Sequence, residues 1–372
     1  MPTVALLFAL VLAPSNDLAA QVDTKIKELH AAAEFPGATV AFVLPDGSAH
    51  EFAVGFADVE AKTAMRPSSR MFSGSIRKTW VAARALQLVG EGKLDLDAPI
   101  SKYIGAKPYF DRIPNAKTLT TRHLLNHTSG IREHVLNPNF LETIRKDPDK
   151  TLTPDELADF ALETAPLFEP GKGWSYADTN FNFVGLILEQ ITGKPFFDEA
   201  DALFLKKLGL SRTSPSNSRR ISDLAQGYSM PNSPFGLTGP LLKDGVYPFQ
   251  PQMEYCGGGF VGNALDLAKW AKLLFEGKAY DAKYIGEATT GLKANTGPNE
   301  EYGLGVQIRP SEWGKTWGHS GWFPGYLSDM AYFPHKRFSV AVQFNTDHMA
   351  KIKRRPYAFL MEIARIVEKS IP

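Results

Sequence analysis

Three short segments carry residue types whose spacing suits acyl transfer. Ser75-Ile76-Arg77-Lys78 follows Gly74 and opens an apolar run with helical periodicity. With Ser75 in a first helical turn, Lys78 lies one turn later on the same face. A helix N-terminus stabilises negative charge there. A lysine withdrawn from water beside a serine can shed its proton and act as the base. The second segment, Tyr176-Ala177-Asp178, comes after Pro170-Gly171-Lys172-Gly173-Trp174 and runs straight into a helix. A hydroxyl placed before a helix can project, so Tyr176 is a candidate proton relay. Asp178 reads either as a helix cap or as the ion-pair partner of Lys78. The third segment is His319-Ser320-Gly321-Trp322. Gly321 would let an extended substrate approach a strand edge. Backbone N–H groups of Ser75 and Trp322 could then receive an oxyanion. The plainer reading of this segment is a glycine-rich turn with a structural histidine.

Other chemistries find less support. Gly318-His319-Ser320-Gly321 imitates a hydrolase nucleophile elbow, but the fifth position is Trp322 rather than glycine, and Ser320 precedes no helical run. His123 and His127 are four apart without an HExxH pattern, so structural hydrogen bonding is expected of them rather than zinc binding. The single cysteine, Cys256, rules out an intramolecular disulfide and is read as a buried, inert thiol. No GxGxxG or Walker sequence is present, and Gly257-Gly258-Gly259 reads as tight backbone packing near a cleft. Lys plus Arg is 41 against 40 for Asp plus Glu, a net charge of +1, which gives no basis for steering nucleic acid. The tract Lys351, Lys353, Arg354 and Arg355 reads as the solvated start of a helix.

The elements that must position these residues fall into a pattern. A helix over Gln21 to Ala33 precedes strands at Ala38 to Leu44 and Ala49 to Gly55, joined by the turn Pro45-Asp46-Gly47. Helices are expected at Lys78 to Gly90, Thr153 to Ala165, Thr179 to Thr192, Phe197 to Leu208 and Ala264 to Leu274. Thr153, Pro154 and Glu156 give the second of these a clear cap. Strands return at Tyr302 to Ile308, Gly325 to Phe333 and Phe338 to Phe344, with a closing helix from Pro356 to Glu368. The expected fold class is therefore α+β. Strands from both chain ends form one antiparallel sheet flanked by helices (residues 21–75 and 300–372). A mostly helical region (76–299) is inserted between them, with the site in the cleft between the two parts. The composition, 44% hydrophobic and 22% charged over 372 residues, is that of a globular chain. Val4 to Ala13 has the length of a signal-peptide core and LAAQ that of a cleavage site after Ala20. Residues 1–20 are thus expected to be a signal peptide, and the chain periplasmic or secreted. If that segment is not a signal, a cytoplasmic location follows. Beyond an uncleaved signal segment, no membrane anchor is expected.

Taken together, the three segments resemble the motifs of the serine β-lactamase and penicillin-binding-protein-like superfamily, SxxK, YxN and KTG or HxG. The closest likeness is to its class C-like branch, with D-alanyl-D-alanine carboxypeptidases, D-aminopeptidases and esterases. LVGEGKLDLDAPISKY (88–103), LLNHTSGI (124–131), YADTNFNFVGLILEQITG (176–193) and GGGFVGNALDLAKWAKLL (257–274) look like the family as well. The resemblance implies a sheet flanked by helices with an all-helical lobe, and two-step acyl transfer on a small-molecule or peptide substrate. Ser75 would be the nucleophile, with Lys78 and Tyr176 sharing the base role. The N–H groups of Ser75 and Trp322 would form the oxyanion hole. Asp178, His319, Ser320 and Gly321 would bind substrate or assist, His319 by steering a carboxylate or moving a proton. No metal or organic cofactor is implied, and the oligomeric state is left open. Asp178 departs from the motif's Asn: a carboxylate cannot donate to a substrate carbonyl. His319 in place of Lys brings less positive charge near neutral pH. Both point away from efficient β-lactam hydrolysis and towards D-amino-acyl peptides or small esters, with a β-lactamase and a non-hydrolysing acyl-binding sensor as the other readings.

Overall fold

The computed structural model describes residues 15–372; the apolar run Val4–Ala13 lies outside the described residues. A nine-stranded antiparallel sheet is built from both ends of the chain. Its strands are β1 (Gly37–Val43), β2 (Ala49–Asp58), β3 (Thr63–Ala64), β4 (Leu292–Lys293), β5 (Glu301–Tyr302), β6 (Gln307–Ser311), β7 (Gly314–Phe323), β8 (Tyr326–Phe333) and β9 (Phe338–Phe344). In space they run β3-β2-β1-β9-β8-β7-β6-β5-β4. The two chain ends meet where β1 pairs with β9, Val40 opposite Val342 and Phe42 opposite Val340. Both strands are buried along their whole length, as expected of apolar runs at the middle of a sheet covered on both faces.

Five of the helices matter for the site: α1 (Ser15–Ala31), α2 (Lys78–Gly90), α3 (Asp178–Thr192), α4 (Ala264–Phe275) and α5 (Pro356–Ser370). In α1, Leu18, Val22, Ile26 and Leu29 recur at helical spacing. In α5, Phe359, Leu360, Ile363, Ala364 and Val367 do the same behind Pro356 at the first helical position. These faces bury Val40, Phe42, Val340, Val342 and Phe344 on one side of the sheet. Each such side chain stabilises the fold by about 1.5–3 kcal/mol relative to exposure. On the other side α4 lies across β1, β8 and β9. Trp270 of α4 stacks on Trp80 of α2 at 4.8 Å and donates to Thr79 Oγ1 at 2.7 Å. That contact anchors α2 next to the sheet.

Several elements differ from the sequence expectation. The first helix is described from Ser15, ahead of the expected Gln21, and Leu18 lies in the apolar cluster. The helix after Thr153 keeps its capping box but stops at Asp159. Phe197 to Leu208 is a short α-helix, Phe196–Ala200, that widens into a π turn at Asp201–Lys206. Tyr302 to Ile308 divides into β5 and β6, because Gly305 turns the chain at φ +68°. The segment His319–Trp322, read either as a strand edge or as a glycine-rich turn, lies within a ten-residue strand, Gly314–Phe323. Two of its three glycines serve close packing: a Cβ at Gly318 would sit 1.9 Å from Met330 O, and one at Gly321 1.9 Å from Ser73 O. Finally, α4 packs on the sheet, so the return from the helical lobe starts before residue 300. Among the described residues no helix is long and apolar enough to cross a membrane.

Candidate active site

The nucleophile candidate is held by a tight turn. Gly74–Arg77 forms one 3-10 turn that passes directly into α2 at Lys78. Gly74 has φ +53°, a conformation that disfavours side chains, and a Cβ there would lie 2.8 Å from Trp322 N. The turn is therefore pressed against β7 at Trp322. Ser73 is fixed on the far side, with its N–H donating to Phe260 O at 2.9 Å.

Lys78 is fully buried. Its Nζ donates to Ser75 Oγ at 3.0 Å, to Asp178 Oδ1 and to Gly257 O. Three acceptors match the three N–H donors of a lysine ammonium. Ala177 is the cap position of α3 without a side-chain cap bond, and Asp178 is the first helical residue. Its carboxylate is thus free to pair with Lys78. The triple glycine supplies the third acceptor, and Arg77 locks that loop by donating to Gly258 O at 3.0 Å. The Arg77 guanidinium lies between the Phe197 and Phe260 rings, 3.9 Å from each centroid. Burial pulls its pKa down to about 10.

Tyr176 stands over Lys78, whose Nζ is 4.9 Å from the ring centroid. Its ring leans on His127 at 4.3 Å. Burial, then the Asp178 carboxylate, push the phenol well above its ordinary value, against a hydrogen bond with Ser75 that favours the phenolate. The phenol is held in its protonated form. His127 is buried, and its Nδ1 faces the N–H of Ala177 at 3.3 Å and Asn180 Nδ2 at 3.0 Å. His123 instead closes the cap of another short helix with Thr120. Among the described residues, no group of three His, Cys, Asp or Glu is placed to hold a metal.

The β7 segment presents its backbone. Strand β6 covers β7 only from Gly314 to Gly318, leaving 319–323 with one open edge. Ser320 N–H points to that edge and donates to Gln307 Oε1 at 2.9 Å. Backbone groups alternate sides along an antiparallel strand, so Trp322 N–H points to the same edge, beside Gly74 and Ser75. The two expected oxyanion donors are thus brought together. His319 faces inward and is buried. Its Nε2 meets Tyr302 Oη at 2.8 Å and its Nδ1 meets Ser320 O at 2.5 Å. Burial, reinforced by Lys78, lowers its pKa to about 3. It is neutral at pH 7 and presents no positive charge to the cleft. The cleft has a volume of about 310 Å³ and is lined by Ser75, Tyr176, Ser320, Gly321 and Trp322, with a polar far end at Arg309 and Asp329.

Two carboxyl groups near Lys78 escaped the sequence reading. Glu133 Oε2 accepts the Asp178 N–H at 2.5 Å, and its Oε1 lies 2.9 Å from His134 Nδ1. Burial raises the Glu133 carboxyl, but His134, the Asp178 N–H and Lys78 outweigh it and hold the group below its usual range. Asp178 is pushed up by burial and by Glu133, against Lys78. Glu254, just before the triple glycine, is pushed up further by burial and Asp178. The available signals were proximity alone: Glu133 follows LLNHTSGI by two residues, and Glu254 stands three before Gly257. Cys256 is buried with its thiol pushed up by burial, as an inert residue should be.

A serine bonded to a buried lysine, with a buried tyrosine over that lysine and the Trp322 backbone beside the serine's turn, is an arrangement suited to acyl transfer. Comparison with known proteins agrees. The Beta-lactamase family matches residues 22–364, and the chain belongs to that family. Penicillin-binding protein 4* of Bacillus subtilis (strain 168) is 25% identical over 301 residues, covering 77% of this chain and 63% of that protein. A D-aminopeptidase of Brucella anthropi is 25% identical over 315 residues, covering 83% of this chain and 56% of that protein. This chain therefore spans about three fifths of the length of these curated relatives. The crystal structure of D-amino acid amidase from Ochrobactrum anthropi SV3 complexed with D-phenylalanine superposes with TM-score 0.80 at 25% identity, over 95% of this chain and 99% of that one.

Proposed function

We propose that the protein is a serine hydrolase that works through an acyl-enzyme on D-amino-acyl amides or peptides. The observation that carries the reading is the 3.0 Å contact of Lys78 Nζ with Ser75 Oγ, closed behind by Asp178 and flanked by Trp322. In this reading Lys78 acts as the neutral amine: Ser75 Oγ attacks the carbonyl carbon and its proton passes to Lys78 Nζ, and the ammonium that forms pairs with Asp178. The N–H groups of Ser75 and Trp322 receive the oxyanion. Tyr176, protonated at rest, gives its proton to the leaving amine and is restored through Lys78. Water then cleaves the ester, and Ser75 regains its proton. The D-amino-acyl preference draws support from the named relatives. Small esters pass through the same steps, and Asp178, turned to Lys78 instead of substrate, weighs against efficient β-lactam hydrolysis.

Turnover of matched D- and L-phenylalanine amides, a short nitrophenyl ester and a penicillin, in wild type and Ser75→Ala, tests this. Ser75-dependent release with the D-amide ahead of the L-amide is expected. Turnover retained in a pure Ser75→Ala sample would sink the assignment, and a stable adduct without release would favour the sensor. We also propose export through the Val4–Ala13 segment, supported by its length and by LAAQ. N-terminal sequencing of protein recovered outside the cytoplasm tests that, and a mature chain that keeps residues 1–20 would oppose it.

A further inference from the structure

The far end of the cleft holds a pair that the acyl-transfer steps do not use. Asp329 on β8 stands directly opposite Ser320 on β7, so their side chains share one face of the sheet. Asp329 is 1% exposed. Its Oδ2 accepts from Arg309 Nη1 at 2.8 Å, while its Oδ1 is buried without a hydrogen-bond partner. Arg309 Nη2 donates to Met330 O at 2.8 Å, the guanidinium lies 4.0 Å over the Tyr357 ring, and Nε is buried without a hydrogen-bond partner. Thr296 Oγ1, on the same cleft, is also buried and unpartnered. Arg355 is held by Glu300 at 3.5 Å and by Thr296 O.

The spare hydrogen-bonding capacity there is a carboxylate oxygen, a hydroxyl and the single N–H of Arg309 Nε. A buried acceptor left unpaired is costly, so its complement is a donor. Two arginines and two carboxylates balance in charge, and each arginine already has a carboxylate partner. A substrate carboxylate entering this end would meet Asp329 and Glu300 with little free positive charge to hold it.

We infer that Asp329 Oδ1, assisted by Thr296 Oγ1, is a specificity subsite for an N–H donor, a primary ammonium or an amide, on the substrate arm that extends from the scissile carbonyl at Trp322 past Ser320. The inference rests on the hydrolase reading above and narrows its substrate class: arms that end in a carboxylate are poor substrates. Burial, against Arg309, raises the Asp329 carboxyl to about 6, and a bound ammonium would favour its ionised form.

Four acyl donors with identical reacting groups and arms of equal length, ending in ammonium, carboxamide, methyl or carboxylate, provide the test. In wild type the ammonium and carboxamide arms should exceed the methyl arm in kcat/KM by about tenfold or more, with the carboxylate arm below methyl. Ammonium ahead of carboxamide would assign a charge contact, and equal rates an N–H contact. Asp329→Asn should bring the ammonium-to-methyl ratio close to one, and Thr296→Val should reduce it by less. Because each variant is scored by a ratio, loss of active protein does not mimic the effect. Should Asp329→Asn fail to fold, the wild-type ranking and Thr296→Val still decide. A carboxylate arm that reacts best, an indifferent wild type, or an unchanged ratio in a folded Asp329→Asn overturns the subsite. Absence of Ser75-dependent turnover for every arm overturns the hydrolase reading, and the subsite with it.

Discussion

Gly321→Ala tests whether β7 and the nucleophile turn act as one unit. A Cβ at Gly321 would lie 1.9 Å from Ser73 O and 2.3 Å from Ser328 Oγ. Comfortable contact begins at about 3.4 Å, so relief takes about 1.5 Å of movement. Neither side retreats freely. β7 is paired to β8 from Trp317 to Phe323, and Ser73 is bonded to Phe260 O and, through its own carbonyl, to Ser328 Oγ at 2.7 Å. The movement therefore separates Ser75 from Trp322. Overpacking of this kind costs about 1–3 kcal/mol in stability, and a misplacement of about 1 Å at reacting groups costs about 100-fold in rate. Gly318→Ala is the control. Its Cβ would lie 1.9 Å from Met330 O, an equal clash on the β8 side of the strand, away from Ser73. Both variants should unfold at lower urea concentration. Measured well below both transitions with a nitrophenyl ester, Gly321→Ala should lose about 100-fold or more in kcat, and Gly318→Ala less than about tenfold. Equal rate losses, or wild-type turnover in Gly321→Ala, would refute the coupling.

Three further outcomes follow from the charges around Lys78. Asp178→Ala leaves a fully buried Lys78 without its carboxylate, so urea unfolding should show a loss of about 3 kcal/mol or more; a loss below about 1 kcal/mol would contradict the ion pair's role. Glu254 has a folded pKa raised by burial above its unfolded value of 4.5, so its contribution to stability is present below pH 4.5 and is lost as pH rises from there. Glu254→Gln should therefore gain stability over wild type on going from pH 4 to pH 8, by up to about 1.4 kcal/mol per pH unit; a constant difference across that range would argue against a buried, proton-holding carboxyl. His319 has a folded pKa lowered to about 3, so its contribution is full above pH 6.5 and lost as pH falls towards 3. Its ring C–H resonances should not titrate between pH 5 and 8, and a midpoint near 6.5 would mean a solvated imidazole instead.

Much of the fold was legible because its signals are local. Phe338–Phe344 and Lys78–Gly90 match the sequence reading to the residue, since an apolar run and a helical stripe each declare themselves within one element. Thr153, Pro154 and Glu156 marked a helix start correctly, yet gave no sign of its early end at Asp159. The strand carrying His319 was obscured by Gly314, Gly318 and Gly321. These residues look like turn signals, but two of them are set by backbone from β8 and from Ser73, which sequence spacing does not reveal. At the site, Ser75, Lys78, Tyr176 and Asp178 were singled out by motif spacing, and the structure places them side by side. Asp178 could not be divided between cap and counter-ion until Ala177 proved to be the cap position. Glu133, Glu254 and the Arg309–Asp329 pair come from segments far apart in sequence and are joined only by the fold.

The central claim is that Ser75 carries the acyl group. Wild type and Ser75→Ala should be mixed with a nitrophenyl ester and a D-phenylalanine amide, and intact mass followed beside product release. The account predicts a transient mass increase of one acyl group in wild type alone, located on the peptide that contains Ser75 and decaying as product forms. An adduct on another residue, or one that forms equally in Ser75→Ala, would contradict it.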